Sequence, residues 1–470
     1  MTDALARSPA KSASVTQAQG KAAAAAAARP ARGTILYEAH NLTFKGGTGI
    51  ATYARALAQA AGRLGYQVDG LFGVERGLSR GQDALNEILA FDAVDDNEWL
   101  SPFQAAWRTL NYPFNALGGM RPVELPRSGL VTGPIADALR PFKRAYASTR
   151  LIDISMMHFK LYGRAARIKV PDQPSIFHAT HPVPLAVRGC PNIYTIHDLV
   201  PLRLPYTTLD NKKYFYRLLT SLARTADHIV TVSEHSRRDI VEFLGIDESR
   251  VTNTYQAVDI PAHLLDRTDG EVADDLAKLF GLDFGGYFLF YGAIEPKKNV
   301  SRLVDAYAGS GSKLPLIIAG GSGWQNRADL RKIRDERFTN FRIDGNVVRR
   351  ERQVRRLEFL PHDQLVTLIR GARALLFPSI YEGFGLPVIE AMALGTPVLT
   401  SNASSLPEVA GDSALIVDPY SVDDIMRGII AIEADADLRS ELQQRGRVQA
   451  QQFSLNAYET RLSHLYDRLR

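Results

Sequence analysis

Short apolar runs alternate with amphipathic stretches along most of the chain, and the alternation falls into two sets. In the first half, runs at 34–37, 67–72, 175–178, 192–196, 228–232 and 251–255 have the length and composition of buried strands. Between some of them apolar positions recur at helical spacing, at 50–64, 211–225 and 236–243. The second half repeats the rhythm, with strand-like runs at 287–291, 314–319, 355–359, 374–377, 397–400 and 414–417. Apolar strands separated by helices predict parallel sheets covered on both faces. The expected fold class is α/β, with two Rossmann-like doubly wound domains in series. Ligands in such sheets bind outside the C-terminal strand ends, so the site is expected in a deep interdomain cleft.

The expected organisation is an Ala-rich tail over 1–32, an N-terminal domain over 33–265, a C-terminal domain over 266–450 and a last amphipathic helix within 451–470. The charged string Asp266-Arg267-Thr268-Asp269-Gly270-Glu271 reads as the linker. At 470 residues and 45% apolar content the chain can bury two ordinary cores. A net charge of +5 permits an anionic substrate or a membrane surface without demanding either. The single cysteine, Cys190, excludes a disulfide framework or a thiolate metal cage and fits a reducing compartment. The tail lacks the apolar core of a signal peptide, and no run approaches the roughly 20 apolar residues of a membrane span. A disordered tail is expected, with a short Ala helix as the alternative. The expected location is cytoplasmic, with any membrane contact peripheral.

Candidate chemistry concentrates in Tyr381-Glu382-Gly383-Phe384-Gly385-Leu386-Pro387-Val388-Ile389-Glu390. Two carboxylates bracket a glycine turn between an apolar run and an apolar helix. In such a unit the helix N-terminus aims free N–H groups and the positive dipole end at whatever binds there. Gly383 and Gly385 allow close approach of a phosphate, with Glu382 at the mouth and Glu390 one turn into the helix. An anion site flanked by two acceptors suits a nucleotide diphosphate carrying a sugar. The plain alternative is a tight turn with two unrelated glutamates.

With Gly395-Thr396-Pro397-Val398 and Leu406-Pro407-Glu408-Val409-Ala410-Gly411, this string resembles the signature of the retaining GT-B glycosyltransferases of the group 1 / family 4 type. That family includes sucrose synthase-like enzymes and bacterial mannosyl- and glucosyltransferases. The resemblance runs over about 34–466 and is sharpest over about 190–260 and 286–425. It implies a last helix that crosses back to the N-terminal domain and a nucleotide-diphosphate sugar as donor, with no separate cofactor. By the family pattern Glu390 meets the ribose hydroxyls and Glu382 the donor sugar, with the Phe384, Gly385 and Leu386 amides nearby. Glu382 then positions and stabilises, and need not be a covalent nucleophile.

The same resemblance gives roles to three further strings. In Gly292-Ala293-Ile294-Glu295-Pro296-Lys297-Lys298-Asn299, two lysines at a helix start would neutralise a departing diphosphate, and Lys298 is the expected phosphate contact. Many relatives carry Arg where this chain has Ala293, and Lys297 is the candidate replacement. In Tyr194-Thr195-Ile196-His197-Asp198, His197 is expected to reach the donor sugar while Asp198 orients the loop. Gly47 lies in Lys45-Gly46-Gly47-Thr48-Gly49, which resembles the family's loop beneath the phosphates but fails the dinucleotide fingerprint. Ser233-Glu234-His235-Ser236 looks like the second cleft-facing element of the N-terminal domain, and capping a helix is an equal role for Ser233.

The implied enzyme is a retaining, metal-independent hexosyltransferase that extends a bacterial surface polysaccharide or lipid-linked oligosaccharide, with GDP-mannose as the first candidate donor. The one DxD string, Asp435-Ala436-Asp437, lies in a polar helix connection and reads as solvated surface. A nucleotide-sugar 2-epimerase and a catalytically silent nucleotide-sugar-binding scaffold are the rival readings. Intact His197, Lys298, Glu382 and Glu390 argue against the scaffold, whereas Ala293 keeps it open.

Residues 75–170 match the family least, and acceptor specificity is expected there. Over 140–169 eight Lys or Arg face one acid, Asp153, interleaved with Phe142, Tyr146, Leu151, Ile152, Met156, Met157, Phe159 and Tyr162. Such a stretch suits an anionic membrane surface and a polyprenyl-diphosphate-linked acceptor, each cation adding about 1 kcal/mol. A pair of helices with core-facing apolar sides is the other reading. The basic run 349–356 reads as an exposed loop before a strand. No recognised module supports nucleic-acid binding.

Overall fold

The computed structural model describes residues 32–43, 49–75, 78, 83–91, 114, 116–128, 131, 139–324, 326–344, 347–358 and 360–470. The expectations for residues 1–31 and for Gly47 fall outside them.

The first half builds an eight-stranded sheet from β1 (Thr34–Glu38), β2 (Gln67–Val74), β3 (Val123–Glu124) and β4 (Arg144–Thr149), then, past the short β5 (Ala166–Ile168), β6 (Ile176–Ala179). After β7 (Leu185–Val187), which pairs only with β5, come β8 (Asn192–Thr195), β9 (His228–Thr231) and β10 (Val251–Asn253). The order is β10-β9-β8-β6-β1-β2-β4-β3, parallel throughout except for the β3–β4 edge. The second half gives β11 (Phe288–Tyr291), β12 (Leu316–Ala319), β13 (Thr339–Asp344), β14 (Val347–Arg352), β15 (Val354–Leu357), β16 (Ala374–Phe377), β17 (Val398–Ser401) and β18 (Leu415–Val417). Six of these form an all-parallel sheet in the order β15-β12-β11-β16-β17-β18, and β13 and β14 form a separate hairpin.

The strand-like runs become strands because their side chains are apolar on both faces. Leu375, Leu376 and Phe377 of β16 are wholly buried, and each contributes about 1.5–3 kcal/mol of burial. Truncating one of them, as in Leu376→Ala, would cost about 2–5 kcal/mol. In each sheet the strand order turns about a central pair, β1 beside β6 and β11 beside β16. These are the topological switch points, where loops leave in opposite directions and open a crevice.

The string 266–271 lies between the two sheets, and a capping box closes within it: Thr268 and Glu271 satisfy each other's amides at the start of the helix Asp269–Phe280. Two expectations are corrected. Over 140–169 the chain forms β4, the helix Leu151–Tyr162 and β5 rather than two helices. Phe142, Tyr146, Leu151 and Phe159 are core residues there, and Arg144 pairs with Asp69 at 2.8 Å, so half the expected membrane anchors face inward. The run 349–356 is not a loop but the end of β14 and most of β15.

The last helix, Leu455–Leu469, buries Tyr458, Leu462, Leu465 and Tyr466 against the helix Gly49–Arg63 and the first sheet. The Tyr466 hydroxyl bridges the hydroxyl of Tyr37 on β1 at 2.7 Å and Nδ1 of His178 on β6 at 2.8 Å. Cys190 is half-buried and unpaired, with burial pushing its thiol up to about 11. Among the described residues no helix is long and apolar enough to cross a membrane.

Candidate active site

The predicted site residues leave the C-terminal ends of strands at or beside the two switch points. After β11 the chain makes a 3-10 turn, Pro296–Lys298, ahead of the helix Val300–Ser310, so the lysines precede that helix rather than start it. Asn299 fixes the turn: its φ is +62°, and its buried amide donates to the carbonyls of Pro378 at 2.9 Å and Pro419 at 2.7 Å. After β16 the chain runs through Tyr381-Glu382-Gly383-Phe384 into the helix Leu386–Ala393.

These two turns bring Lys298 and Glu382 together, 84 residues apart in sequence and 2.7 Å apart in space. The Lys298 ammonium also lies 5.0 Å from the Phe377 ring centre, over its face. Burial favours a neutral Glu382, but Lys298 and Lys297 outweigh it and hold the carboxyl below its usual range. Half-buried Lys297 is also desolvated, yet Asp198, Glu382 and Glu295 keep it more firmly protonated than a free lysine. Two ammonium groups and three carboxylates thus share one crevice. An incoming diphosphate would find cations already held in place, with no reorganisation needed during reaction.

The loop itself is clamped. The Glu382 amide donates to Ser404 Oγ at 2.8 Å, and Ser405 Oγ donates to the carbonyls of Glu382 and Phe384, both at 2.9 Å. Gly385 has φ +103°, a conformation an L side chain rarely adopts. Gly383 is needed for a reason besides the one expected. A Cβ there would stand 2.7 Å from the carbonyl oxygen of His197, so its missing side chain admits the opposite domain. Phe384 turns its ring into the core against Phe453 and Tyr255, leaving only its backbone for a ligand.

His197 completes the crevice from the end of β8. Its Nε2 lies 2.9 Å from the Thr180 carbonyl, and its ring meets Tyr53 edge-on at 4.8 Å. Burial holds its pKa down to about 4, so the imidazole is neutral near pH 7. Asp198 accepts from the Val200 amide at 3.1 Å and so shapes the loop. Tyr53 and His178 both hydrogen-bond Thr195 Oγ1 at 2.9 Å, which carries the polar network from the site to Tyr466.

Glu390 stands apart from the Lys298–Glu382 pair. With Leu386 it lines an interdomain cavity of about 560 Å³ whose other wall includes Arg55 and Gln59 of the helix Gly49–Arg63. It accepts a hydrogen bond from Tyr291 at 2.6 Å, yet burial pushes its pKa up to about 7.

Several participants escaped the sequence reading. Glu38 ends β1 wholly buried and pairs with His181 at 2.9 Å; a lone acid closing an apolar strand was its signal. Glu408 accepts from the amides of Glu234 at 2.7 Å and His235 at 3.0 Å, so one domain's carboxylate caps the other domain's helix, Glu234–Leu244. Ser233 caps the same helix from within, one of the two roles expected of it, and Tyr381 donates to Asp239 on it. Tyr291, Asn299, Ser404 and Ser405 carried no local signal. Among the described residues no group of three or more His, Cys, Asp or Glu side chains is placed to hold a metal ion.

Comparison with known proteins identifies the arrangement. Residues 285–449 match the family model for glycosyl transferases group 1, and residues 134–260 that for glycosyltransferase family 4. The chain is 34% identical over 279 residues to O-antigen chain mannosyltransferase B of Escherichia coli, covering 58% of this chain and 69% of that one. It is 29% identical to the serotype-specific mannosyltransferase WbdA of Escherichia coli over 55% of this chain, a match spanning only 31% of that longer relative. Among solved structures, Anabaena Alr3699/HepE in complex with UDP and glucose superposes with a TM-score of 0.62 at 13% identity, covering 93% of this chain and all of that one. WaaG, a glycosyltransferase involved in lipopolysaccharide biosynthesis, superposes with a TM-score of 0.55 over 93% of this chain and 99% of its own. Two facing parallel sheets, a lysine–glutamate crevice between their switch points and these matches give one conclusion: the chain belongs to the group 1 glycosyltransferases of the GT-B fold.

Proposed function

We propose that this chain is a retaining, metal-independent hexosyltransferase that transfers mannose from GDP-mannose to a lipid-linked or polysaccharide acceptor in bacterial surface glycan synthesis. The Lys298–Glu382 pair carries the reading. Diphosphate departure builds negative charge, and Lys298 with Lys297 supplies fixed positive charge without a divalent ion. Glu382, released from Lys298 as the diphosphate takes that ammonium, can accept from donor-sugar hydroxyls. Glu390 receives the ribose hydroxyls. The neutral His197 offers a lone pair to the sugar or to positive charge spreading over its ring oxygen and anomeric carbon. Mannose and a surface glycan are favoured by relatives described as O-antigen chain mannosyltransferases in Escherichia coli and Salmonella typhimurium.

The test is release of nucleotide diphosphate from a panel of nucleotide sugars, with and without lipid extract, comparing wild type with Glu382→Ala. Release from GDP-mannose that rises with lipid and drops at least about 10²-fold in the variant, with nucleotide affinity little changed, supports the proposal. Preference for another donor overturns the GDP-mannose assignment, and near-normal turnover by Glu382→Ala overturns the role given to that residue.

A further inference from the structure

At the amino-terminal edge of the second sheet, opposite the end that carries Glu382, four guanidinium groups line one cavity of about 360 Å³. Arg370 ends the helix His362–Gly371, Arg373 precedes β16, and Arg439 and Arg447 lie two turns apart on the helix Ala436–Gln451. Gly395, with φ +76°, leaves the space Arg447 uses: a Cβ there would stand 2.4 Å from its guanidinium.

The charges do not cancel. Arg370 pairs with Asp269 at 3.0 Å, whereas Arg373 donates to the Gly285 carbonyl at 2.7 Å and Arg439 to the carbonyls of Ile432, Glu433 and Asp435. Arg373, Arg439 and Arg447 have no ion pair among the described residues. Partial burial and the charge of Arg373 outweigh the nearby Asp435 and Glu433 carboxylates and hold the Arg439 guanidinium below its ordinary pKa, so cations crowd here beyond what the local acids offset. Such crowding costs free energy until an anion relieves it. Planar guanidinium forks match phosphate oxygens in pairs, and the cavity has the volume of a small-ligand site.

We propose that this pocket binds a phosphate-bearing anion, a phosphomonoester or a diphosphate, at a site separate from the donor cleft. Its wall is shared with that cleft: Leu394, which closes the helix carrying Glu390, lines both cavities. The bound phosphate is either a soluble one or the headgroup of an anionic lipid. The proposal stands independently of the donor and acceptor assigned above.

The test is the thermal shift of the full chain with inorganic pyrophosphate at constant ionic strength. Lys298→Ala, which removes the diphosphate contact of the donor cleft, is still expected to be stabilised by pyrophosphate, and Arg373→Gln/Arg439→Gln added to that background to bind it at least about tenfold more weakly. Arg447→Gln, at an exposed position, tests the same site should the double variant fail to fold, with a severalfold loss expected. A shift lost in Lys298→Ala, kept in full by the arginine variants of that background, or reproduced by sodium chloride alone, overturns the site. Sedimentation with phosphatidylglycerol against phosphatidylcholine vesicles separates the sources. Arginine-dependent capture by the former identifies a headgroup, and a pyrophosphate shift with no capture identifies a soluble phosphate.

Discussion

Nε2 of His197 lies 2.9 Å from the carbonyl oxygen of Thr180, and a carbonyl can only accept. The ring proton therefore sits on Nε2, and Nδ1 is left as an acceptor. With a pKa near 4 the ring does not change charge between pH 5 and 8. His197→Ala should lower kcat about 10²–10³-fold, comparable to losing one preorganised polar group. The pH profile of kcat supplies the second check: a limb in that range that vanishes in His197→Gln would mean the ring titrates there.

Glu390 behaves in the opposite way. Its pKa near 7 means that roughly half the carboxyls are protonated at neutral pH. If ribose hydroxyls donate to the carboxylate, nucleotide affinity falls as pH drops below 7, by up to about tenfold per unit, and levels off above it. Glu390→Gln should flatten that dependence and bind weakly throughout. Calorimetric titration with GDP from pH 6 to 8.5 is the measurement, and a flat wild-type curve refutes the assignment.

Glu408 ties the domains by capping a helix it does not belong to. Glu408→Ala leaves two helical amides without that acceptor at a dipole end, a loss of about 0.5–2 kcal/mol. The expected result is a higher KM for the donor and a lower Tm, with kcat at saturation changed less than in Glu382→Ala. Equal loss in both variants would place Glu408 in the chemistry instead.

Three histidines are folded in their neutral form: burial holds His178 near 3, and His197 and His228 near 4. Unfolding returns each towards 6.5, so below that value the unfolded chain binds more protons and stability falls as pH falls. At pH 5 the three together contribute about three protons, against one opposing proton from Glu390, each worth about 1.4 kcal/mol per pH unit. His178→Gln should flatten the fall of Tm between pH 6 and 4 by about one proton. An unchanged slope would mean His178 is already charged in the folded protein.

The sheets were legible because their strands are apolar on both faces, so runs such as 288–291 and 374–377 stand out from their surroundings. β4 was not. Arg144 opens it and mostly small residues follow, and the distant carboxylates of Asp69 and Asp172 make an arginine tolerable there. Of the motif residues, Lys298, Glu382 and His197 lie at one crevice and Glu390 on a separate cavity wall. What holds them is contact across long sequence separations, such as Asn299 with Pro419 or Ser405 with Glu382, which no local pattern encodes. The use of Gly383 was hidden for the same reason, since its neighbour belongs to the other domain.

The Tyr466 hydroxyl that joins Tyr37 and His178 also sets a timetable for biosynthesis. It is made 429 residues after Tyr37 and 288 after His178. At about 5–20 residues per second a ribosome needs roughly 15–60 s to cover the second interval. Once Asn253 closes β10, and for the 213 residues from Asn253 to Tyr466, the amino-terminal sheet is complete in its strands yet lacks the aromatic plug that fills its central seam. The first domain to emerge is therefore the last to be finished, and it must stay soluble as an open half-structure until the final helix arrives.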